Sequence, residues 1–126
     1  MKILVLEDNE ARIETFKKYL KGRKYDTYYY DTAIDAISAI DTLGPFDVYF
    51  LDHDLGGMVY VDSEDENTGY QVAKHLAKIK EADAQIFIHS LNMVGASNMQ
   101  SQLPHAIILP FPRLVKYILE GMNDRH

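Results

Sequence analysis

The chain has 126 residues, of which 47% are apolar, and a net charge of −6 at pH 7. This length and apolar content predict a single folded domain over 1–126 with a buried core, and they exclude an intrinsically disordered chain. Because the chain is acidic and has no Lys/Arg-rich run, we expect no binding to long nucleic acid. A small anionic ligand would need a metal ion to offset the acidic charge.

The chain contains no cysteine. Disulfides, thiolate zinc sites and a thiol nucleophile are therefore excluded. No apolar run reaches the roughly 18 residues of a membrane span, and no signal peptide precedes the first residues. We therefore expect a cytoplasmic protein that does not interact with membranes.

Strand-like and helix-like patterns alternate along the chain. Short apolar runs predict strands, whereas apolar residues at helical spacing predict helices. In the second helix, this spacing predicts that Ile34, Ile37 and Ile40 face the core. The predicted elements are, in order, a strand at Lys2–Leu6, a helix over 9–21, a strand at Tyr25–Tyr30, a helix at Ala33–Leu43, a strand at Asp47–Leu51, a helix at Thr68–Lys80, a strand at Ile86–Ile88, a weak helix over 94–102, a strand at Ala106–Leu109 and a helix at Arg113–Glu120.

Five strands and five helices in strict alternation predict an α/β fold, a doubly wound parallel sheet with helices on both faces. The exception is the connection over residues 55–67, which is long for a link between a strand and a helix. Within it, residues 58–62 (MVYVD) suggest a small hairpin arm, and 63–66 is an acidic stretch that we expect to be exposed. A long loop at the ligand-binding edge is more often functional than accidental.

Three predicted strands end in residues suited to phosphate chemistry. Glu7-Asp8 follows the first strand, Asp52-His53-Asp54 follows the third, and His89-Ser90 follows the fourth. The C-terminal ends of parallel strands share one edge, where ligands bind. We therefore expect these carboxylates and imidazoles to converge on one metal and phosphate site.

Glu7, Asp8 and Asp52 are the predicted metal ligands. Carboxylates that lie close together repel one another unless a cation lies between them, and a hard ion such as Mg²⁺ or Mn²⁺ is bound through oxygen ligands. His53 and His89 would suit Zn²⁺ or Fe²⁺ if they bind the metal directly, and they could instead act as acid and base. Simpler roles also remain open, because Asp8 or Asn9 could cap the first helix and Asp52 could be a turn residue.

The chain resembles a receiver domain, the phospho-accepting module of two-component signalling. The matching residues are the acidic pair Glu7-Asp8, the strand-ending Asp52, the hydroxyl residue Ser90 and the pair Pro110-Phe111. The resemblance implies a receiver- or flavodoxin-like sheet in the order 2-1-3-4-5, Mg²⁺ held by the acidic pair and Asp52, and phosphorylation of Asp52. Receivers carry a lysine directly before the proline, where this chain has Leu109.

The departures from that pattern resemble a divergent branch, the cyclic-phosphate-processing receiver-like family. The shared motifs are the run Leu51–Gly57, the segment Asn67–Gly69, and His89–Asn92 with a following Gly95. The long loop after the third strand belongs to the same set of departures. This resemblance implies a cyclic phosphate as the ligand.

The hypothetical reaction is metal-assisted opening of a cyclic phosphodiester. Asp54 or His53 would orient or deprotonate a water, and His89 would protonate the leaving sugar oxygen. Asp52 could instead attack phosphorus as a nucleophile. The predicted phosphate-binding residues are Ser90, Asn92, Gly95, Thr68, Gly69 and Arg113, the last as a partial replacement for the missing lysine or simply as a surface charge.

The sequence therefore predicts a metal-dependent phosphoesterase acting on a cyclic phosphate of a nucleotide or RNA end. The expected partner is a small phosphate-containing ligand or an RNA end. Two alternatives remain open, a stand-alone receiver phosphorylated on Asp52 and a non-catalytic binding module. The tyrosines Tyr28-Tyr29-Tyr30 on the second strand leave a homodimer open, although half-buried strand packing explains them as well.

Overall fold

The structure is a computed structural model that describes residues 1–22, 24–57, 60–79 and 84–121. Strands and helices alternate as predicted. Among the described residues, no helix combines the length and apolarity needed to cross a membrane. The elements are β1 (Lys2–Leu6), α1 (Glu10–Tyr19), β2 (Asp26–Tyr30), α2 (Ala33–Leu43), β3 (Val48–Leu51), α3 (Gly69–Ile79), β4 (Gln85–Ile88), α4 (Met93–Gln102), β5 (Ile107–Ile108) and α5 (Phe111–Leu119).

The five strands form one parallel sheet in the order β2-β1-β3-β4-β5. This confirms the predicted doubly wound α/β fold and its strand order. β1 and β3 are central, and their register pairs Leu6 with Leu51 at the C-terminal edge. β4 continues this register, since Leu51 pairs with Ile88. The residues that follow β1, β3 and β4 therefore leave the sheet side by side.

The sheet separates two apolar clusters. Leu4 and Leu6 of β1 face the cluster under α2, α3 and α4, whereas Ile3 and Val5 face the cluster under α1 and α5. This alternation is the two-residue period of a strand whose two faces are both covered. All four side chains are fully buried.

Several element ends differ from the predicted ones for local reasons. α1 begins at Glu10 because the side chain of Asn9 accepts a hydrogen bond from the Arg12 amide at 3.0 Å and caps the helix. α5 begins at Phe111, two residues earlier than predicted, with a proline in its first turn. Proline is tolerated there, since the first amides of a helix have no intrahelical partner.

The prediction that Ile34 faces the core is wrong, since its side chain is 76% exposed. The buried face of α2 is instead formed by Ala33, Ala36 and Ile40. Residues three and four apart share a helix face, and Ile34 lies off that face. The small alanines let α2 approach the sheet closely.

The loop from β3 to α3 folds back on itself, and Asp54 and Thr68 form an isolated antiparallel bridge near its base. Residues 60–62 are not a strand, and residues 58–59 of the predicted hairpin arm lie outside the described residues. The prediction that 63–66 is wholly exposed is wrong for Ser63. That side chain is buried and hydrogen-bonded to His53 and Asn98.

Candidate metal and phosphate site

Three strand ends bring a buried cluster of ligating groups together. Glu7 follows β1, Asp52 follows β3 and His89 follows β4, and one ligand atom from each lies within 4.8 Å of the others. All three residues are buried. Buried ionisable groups at this spacing suit a divalent cation, because carboxylate and imidazole are both metal ligands.

Glu7 and His89 are held together by a direct hydrogen bond. Nε2 of His89 donates to Oε1 of Glu7 at 2.8 Å, and the Asn9 amide donates to Oε2 at 3.1 Å. Burial raises the pKa of the Glu7 carboxyl, but the His89 bond and charge, the Asn9 amide and Arg12 together bring that pKa below its usual value. Glu7 is therefore an ionised carboxylate at neutral pH.

The His89 imidazole is packed between aromatic rings. Its centroid lies 5.5 Å from that of Phe16 and 5.8 Å from that of Phe111. Nδ1 is buried and has no hydrogen-bond partner among the described residues. A buried polar atom without a partner is costly, and this one marks His89 as a residue placed for more than packing.

Asp52 is a buried carboxyl group whose charged form is disfavoured by its surroundings. Burial, followed by the negative charge of Glu7, raises the pKa of Asp52 to about 8. The His53 amide donates to its Oδ1 at 2.8 Å and offsets only part of this effect. A cation placed between Glu7 and Asp52 would remove the repulsion, so the residues present fit a divalent metal.

Arg12 is a functional candidate that the sequence analysis missed. Its Nη1 lies 3.8 Å from Oε1 of Glu7 and 3.9 Å from Oδ2 of Asp52. The guanidinium also lies over the ring of Phe111, with its central carbon 5.1 Å from the ring centroid. The available signal was its place three residues after the capping Asn9, in the first turn of α1 next to the strand end.

A cavity of about 490 Å³ opens over this cluster. Asp8 lines it, and Oδ2 of Asp8 accepts a hydrogen bond from the Gly57 amide at 2.5 Å. Asp8 is thus close to the cluster, but its carboxylate is engaged with the long loop. Carboxylates, one guanidinium and one hydroxyl face the cavity, contributed by Glu7, Asp8, Arg12, Asp52, Asp54 and Ser90.

His53 lies beneath the site and does not line the cavity. It is fully buried, with Nδ1 donating to Oδ1 of Asp54 at 2.8 Å and Nε2 accepting from Ser63 at 2.8 Å. Both ring nitrogens are therefore occupied by protein groups. His53 therefore does not face the cavity, and its hydrogen bond holds the Asp54 carboxylate in place.

Asp54 reaches the cavity wall, but its carboxylate is saturated with donors. Oδ1 accepts from His53, from Nδ2 of Asn92 at 3.1 Å and from the Val61 amide at 3.1 Å, and Oδ2 accepts from the Tyr60 amide at 2.7 Å. Although burial raises the pKa of Asp54, these bonds bring it below its usual value. A carboxylate held this way is a weak base.

Three of the predicted phosphate-binding positions, Thr68, Gly69 and Gly95, take part in the packing of the loop and of α3 and α4. The Thr68 hydroxyl donates to backbone carbonyls within the loop. A Cβ at Gly69 would lie 1.9 Å from the carbonyl oxygen of Asp52, and one at Gly95 would lie 2.5 Å from the His53 ring. Both glycines are required because α3 and α4 approach the strand-end residues too closely for a side chain.

The remaining predicted phosphate-binding residues, Ser90, Asn92 and Arg113, lie in three different surroundings. Ser90 lines the cavity. Asn92 caps α4, accepting from the Gly95 amide at 2.8 Å while its Nδ2 donates to Asp54. Arg113 is exposed and lines neither cavity at this edge, whereas Arg12 lines both.

This fold and site together define a receiver-type domain, a doubly wound sheet with an acidic cluster at the C-terminal ends of β1 and β3. The family model for the cyclic-phosphate processing receiver domain matches residues 3–105. The chain therefore belongs to the cyclic-phosphate processing receiver family. No curated protein matches the sequence.

Solved receiver structures share the fold at low sequence identity. Chemotaxis protein CheY4 of Vibrio cholerae superposes with a TM-score of 0.71 at 14% identity, covering 98% of this chain and 96% of that one. A CheY-like receiver domain protein of Methanospirillum hungatei JF-1 gives 0.68 at 16% identity, with 98% and 94% covered. The Mn²⁺-bound form of response regulator Rcp1 gives 0.63 at 16% identity, with 93% and 88% covered.

Proposed function

We propose that the protein is a metal-dependent phosphoesterase that opens a cyclic phosphate of a nucleotide or RNA end. The observation that carries the proposal is the buried cluster of Glu7, Asp52 and His89, with Arg12 beside it at the floor of an open cavity. The family to which the chain belongs is described as cyclic-phosphate processing, which supports a cyclic phosphate as the ligand.

Glu7, Asp52 and His89 would hold the metal, with the His89 proton moved from Nε2 to Nδ1, which has no partner among the described residues, so that Nε2 can act as a ligand. Asp8 could join them by releasing the Gly57 amide. A divalent ion bound there would neutralise the carboxylates and polarise a phosphoryl oxygen. Mg²⁺ and Mn²⁺ fit the carboxylates, and the imidazole favours Mn²⁺, Zn²⁺ or Fe²⁺. Response regulator Rcp1, which shares this fold, has been solved in a Mn²⁺-bound form, and this supports a divalent metal as the cofactor.

The phosphate is assigned to Arg12 and Ser90. A guanidinium presents paired donors to phosphate oxygens, and Arg12 lies within 4 Å of both carboxylates, where it would meet a bound anion. The Ser90 hydroxyl lies at the wall of the same cavity and can donate to another phosphate oxygen. These two residues orient the phosphorus for attack and offset charge that develops in the transition state.

His89 and the pair His53-Asp54 receive different roles from those expected from the sequence. Because His89 is fully buried and one of its ring nitrogens lies within 4.8 Å of ligand atoms of Glu7 and Asp52, we assign it to the ligand set and not to protonation of the leaving oxygen. His53 and Asp54 form a fixed support for the cavity wall. Asp52 keeps both of its expected roles, metal ligand and nucleophile.

The proposal is tested with a panel of 2′,3′- and 3′,5′-cyclic nucleotides assayed with Mg²⁺, Mn²⁺ and Zn²⁺. We expect metal-dependent ring opening that falls by about 100-fold or more in Asp52→Asn and in Arg12→Gln, since each removes transition-state stabilisation. The matched control is Asp31→Asn, an exposed carboxylate that follows β2. Failure of the whole panel to react with every metal would refute the phosphoesterase.

The second candidate function is a stand-alone receiver phosphorylated on Asp52. It is favoured by the place of Asp52 at the end of β3, facing the open cavity, and by the fold shared with the phosphorylated phytochrome response regulator RcpA. Labelling of the wild type by acetyl phosphate, absent in Asp52→Asn, would support it. A protein that binds metal but shows neither turnover nor labelling would be a binding module.

A further inference from the structure

A second cavity lies next to the first at the same edge of the sheet. Its volume is about 450 Å³, and Arg12, Ser90 and Leu91 line both cavities. The two cavities are therefore adjacent, with Arg12, Ser90 and Leu91 between them. A ligand whose phosphate lies beside Arg12 has the second cavity within reach of the rest of its structure.

The walls of the two cavities differ in chemistry. The first is formed mostly by charged and polar residues, whereas the second has walls of Met93, Ile108, Pro110 and Phe111. The polar groups in the second wall are few, and they include the imidazole of His89. An apolar wall with a few fixed polar groups is the usual composition of a site for a small organic ligand.

Planar groups line the boundary between the cavities. The Arg12 guanidinium lies over Phe111, and Phe111 in turn lies against His89. Guanidinium and aromatic faces are the surfaces on which nucleobases stack. A sugar phosphate without a base has no flat apolar face to place against them.

The mouth of the second cavity carries apolar side chains that are exposed to solvent. Leu91 is 69% exposed and Met93 is 63% exposed, and both line the cavity. Neighbouring Val94 is 73% exposed but lines neither cavity. Covering Leu91 and Met93 with a flat heterocycle would remove apolar surface from water, which is favourable.

We propose that the second cavity is a nucleobase subsite, so that the substrate is a nucleoside cyclic phosphate recognised by its base as well as its phosphate. This inference rests on the proposed function, because it places the phosphate on Arg12 and Ser90. It predicts a preference for nucleotides over cyclic phosphates that lack a base.

The kinetic test compares 2′,3′-cyclic AMP with methyl β-ribofuranoside 2,3-cyclic phosphate, which has the same ring and no base. We expect a lower KM for the nucleotide. Met93→Gln should raise that KM about fivefold, which corresponds to the loss of roughly one buried methylene-sized contact. The same variant should leave the KM of the base-free compound unchanged, and Val94→Gln should change neither.

A binding test makes the inference independent of turnover. In protein labelled with ¹³C at methionine methyls, the Met93 signal should shift on titration with 2′,3′-cyclic AMP and stay in place with the base-free compound. Met99 is fully buried in the core and should shift with neither. The Met93 signal is assigned from its disappearance in Met93→Gln.

The outcomes separate the inference from the proposed function. Equal KM values for both compounds, with no effect of Met93→Gln, would overturn the nucleobase subsite while the phosphoesterase stands. A nucleotide-dependent shift of Met93, without turnover of any compound of the panel with any of the metals, would support the subsite and overturn the phosphoesterase. A Met93 signal that responds equally to both compounds or to neither would overturn the subsite.

Discussion

Glu7 and Asp52 occupy the same buried edge, yet their pKa values move in opposite directions. Glu7 has the His89 imidazole and the Asn9 amide as donors, and its pKa falls. Asp52 has the His53 amide and lies next to a carboxylate that is already charged, so its pKa rises to about 8. Without a cation, one carboxyl is charged and the other keeps its proton at neutral pH.

This difference predicts how the stability of the metal-free protein depends on pH. Unfolded Asp52 loses its proton near 3.8, whereas folded Asp52 keeps it to about 8. Between these values the folded state binds the extra proton, so the contribution of Asp52 to stability falls as pH rises. We expect Asp52→Asn to become progressively more stable than the wild type from pH 4 to 8, measured by urea unfolding in EDTA.

The Glu7 contribution has the opposite sign, because its lowered pKa stabilises the fold above pH 4.5 and is lost on acidification. It is present in both proteins and largely cancels in their difference. Asp31→Asn serves as the control, since Asp31 is exposed. A constant difference between wild type and Asp52→Asn across this range would show that Asp52 is not protonated in the folded state.

At the residue scale the sequence predicted that Glu7, Asp52 and His89 converge, whereas Asp8, also predicted as a metal ligand, is not part of the buried cluster. The ends of buried strands are predictable, and these brought Glu7, Asp52 and His89 to one edge. The position of Arg12 beside the acidic cluster was not predicted, because it depends on the direction of a side chain in the first turn of α1. His53 was predicted as a catalytic residue, and the structure buries it with both ring nitrogens bonded to protein groups, because a sequence does not tell which strand-end side chain turns inward.

α4 and the loop after β3 are interlocked as elements. Asn92, the cap of α4, donates to Asp54 at 3.1 Å and to the Val61 carbonyl at 3.2 Å. Gly95, in the first turn of α4, lies so close to the His53 ring that a Cβ at this position would clash with the ring. The motif residues of the loop and of α4 therefore contact each other directly, which accounts for the two motifs occurring together.

Gly95→Ala tests this interlock. Alanine in a helix is normally more favourable than glycine by about 1 kcal/mol. Here the added methyl would lie 2.5 Å from the His53 ring, so we expect a net destabilisation of about 1–3 kcal/mol, typical of overpacking. The measurement is the free energy of unfolding from urea titration.

Ser97→Ala is the control for that experiment, because Ser97 is an exposed residue of the same helix. It should change the free energy of unfolding by less than about 0.5 kcal/mol. If Gly95→Ala stabilised the protein as an ordinary helical substitution does, α4 would not be packed on His53 as described.

At the element scale the number, type and order of the strands and helices were predictable, because apolar runs and helical spacing are strong signals. The errors lie where tertiary contacts decide. Ile34 fits the helical spacing, but the small residues Ala33 and Ala36 allow the closer approach and take the buried face. Ser63 lies in a polar loop sequence, yet its side chain is buried and hydrogen-bonded to His53.

At the scale of the whole molecule, two apolar clusters on either side of the sheet support a charged site at its edge. Binding a divalent cation there should stabilise the fold, because the unfolded chain does not assemble the ligands. At 100 times its dissociation constant, Mn²⁺ should add about 2.7 kcal/mol, seen as a rise in melting temperature.

The same thermal experiment with Asp52→Asn should show a much smaller rise, whereas Asp31→Asn should behave as the wild type. The result does not depend on turnover, so it tests the metal site separately from the phosphoesterase. Equal shifts in wild type and Asp52→Asn would mean that Mn²⁺ stabilises the protein at another place.

The positive charge at this edge lies on α1, because Arg12 is within 4 Å of Glu7 and Asp52 while the position directly before Pro110 is Leu109. Leu109 packs against the cluster that contains Phe16 and Phe87, so that side of the edge is apolar. Leu109→Lys would bring a second charge to an apolar surface while Arg12 still served the acidic cluster, and we expect that single substitution to destabilise the protein.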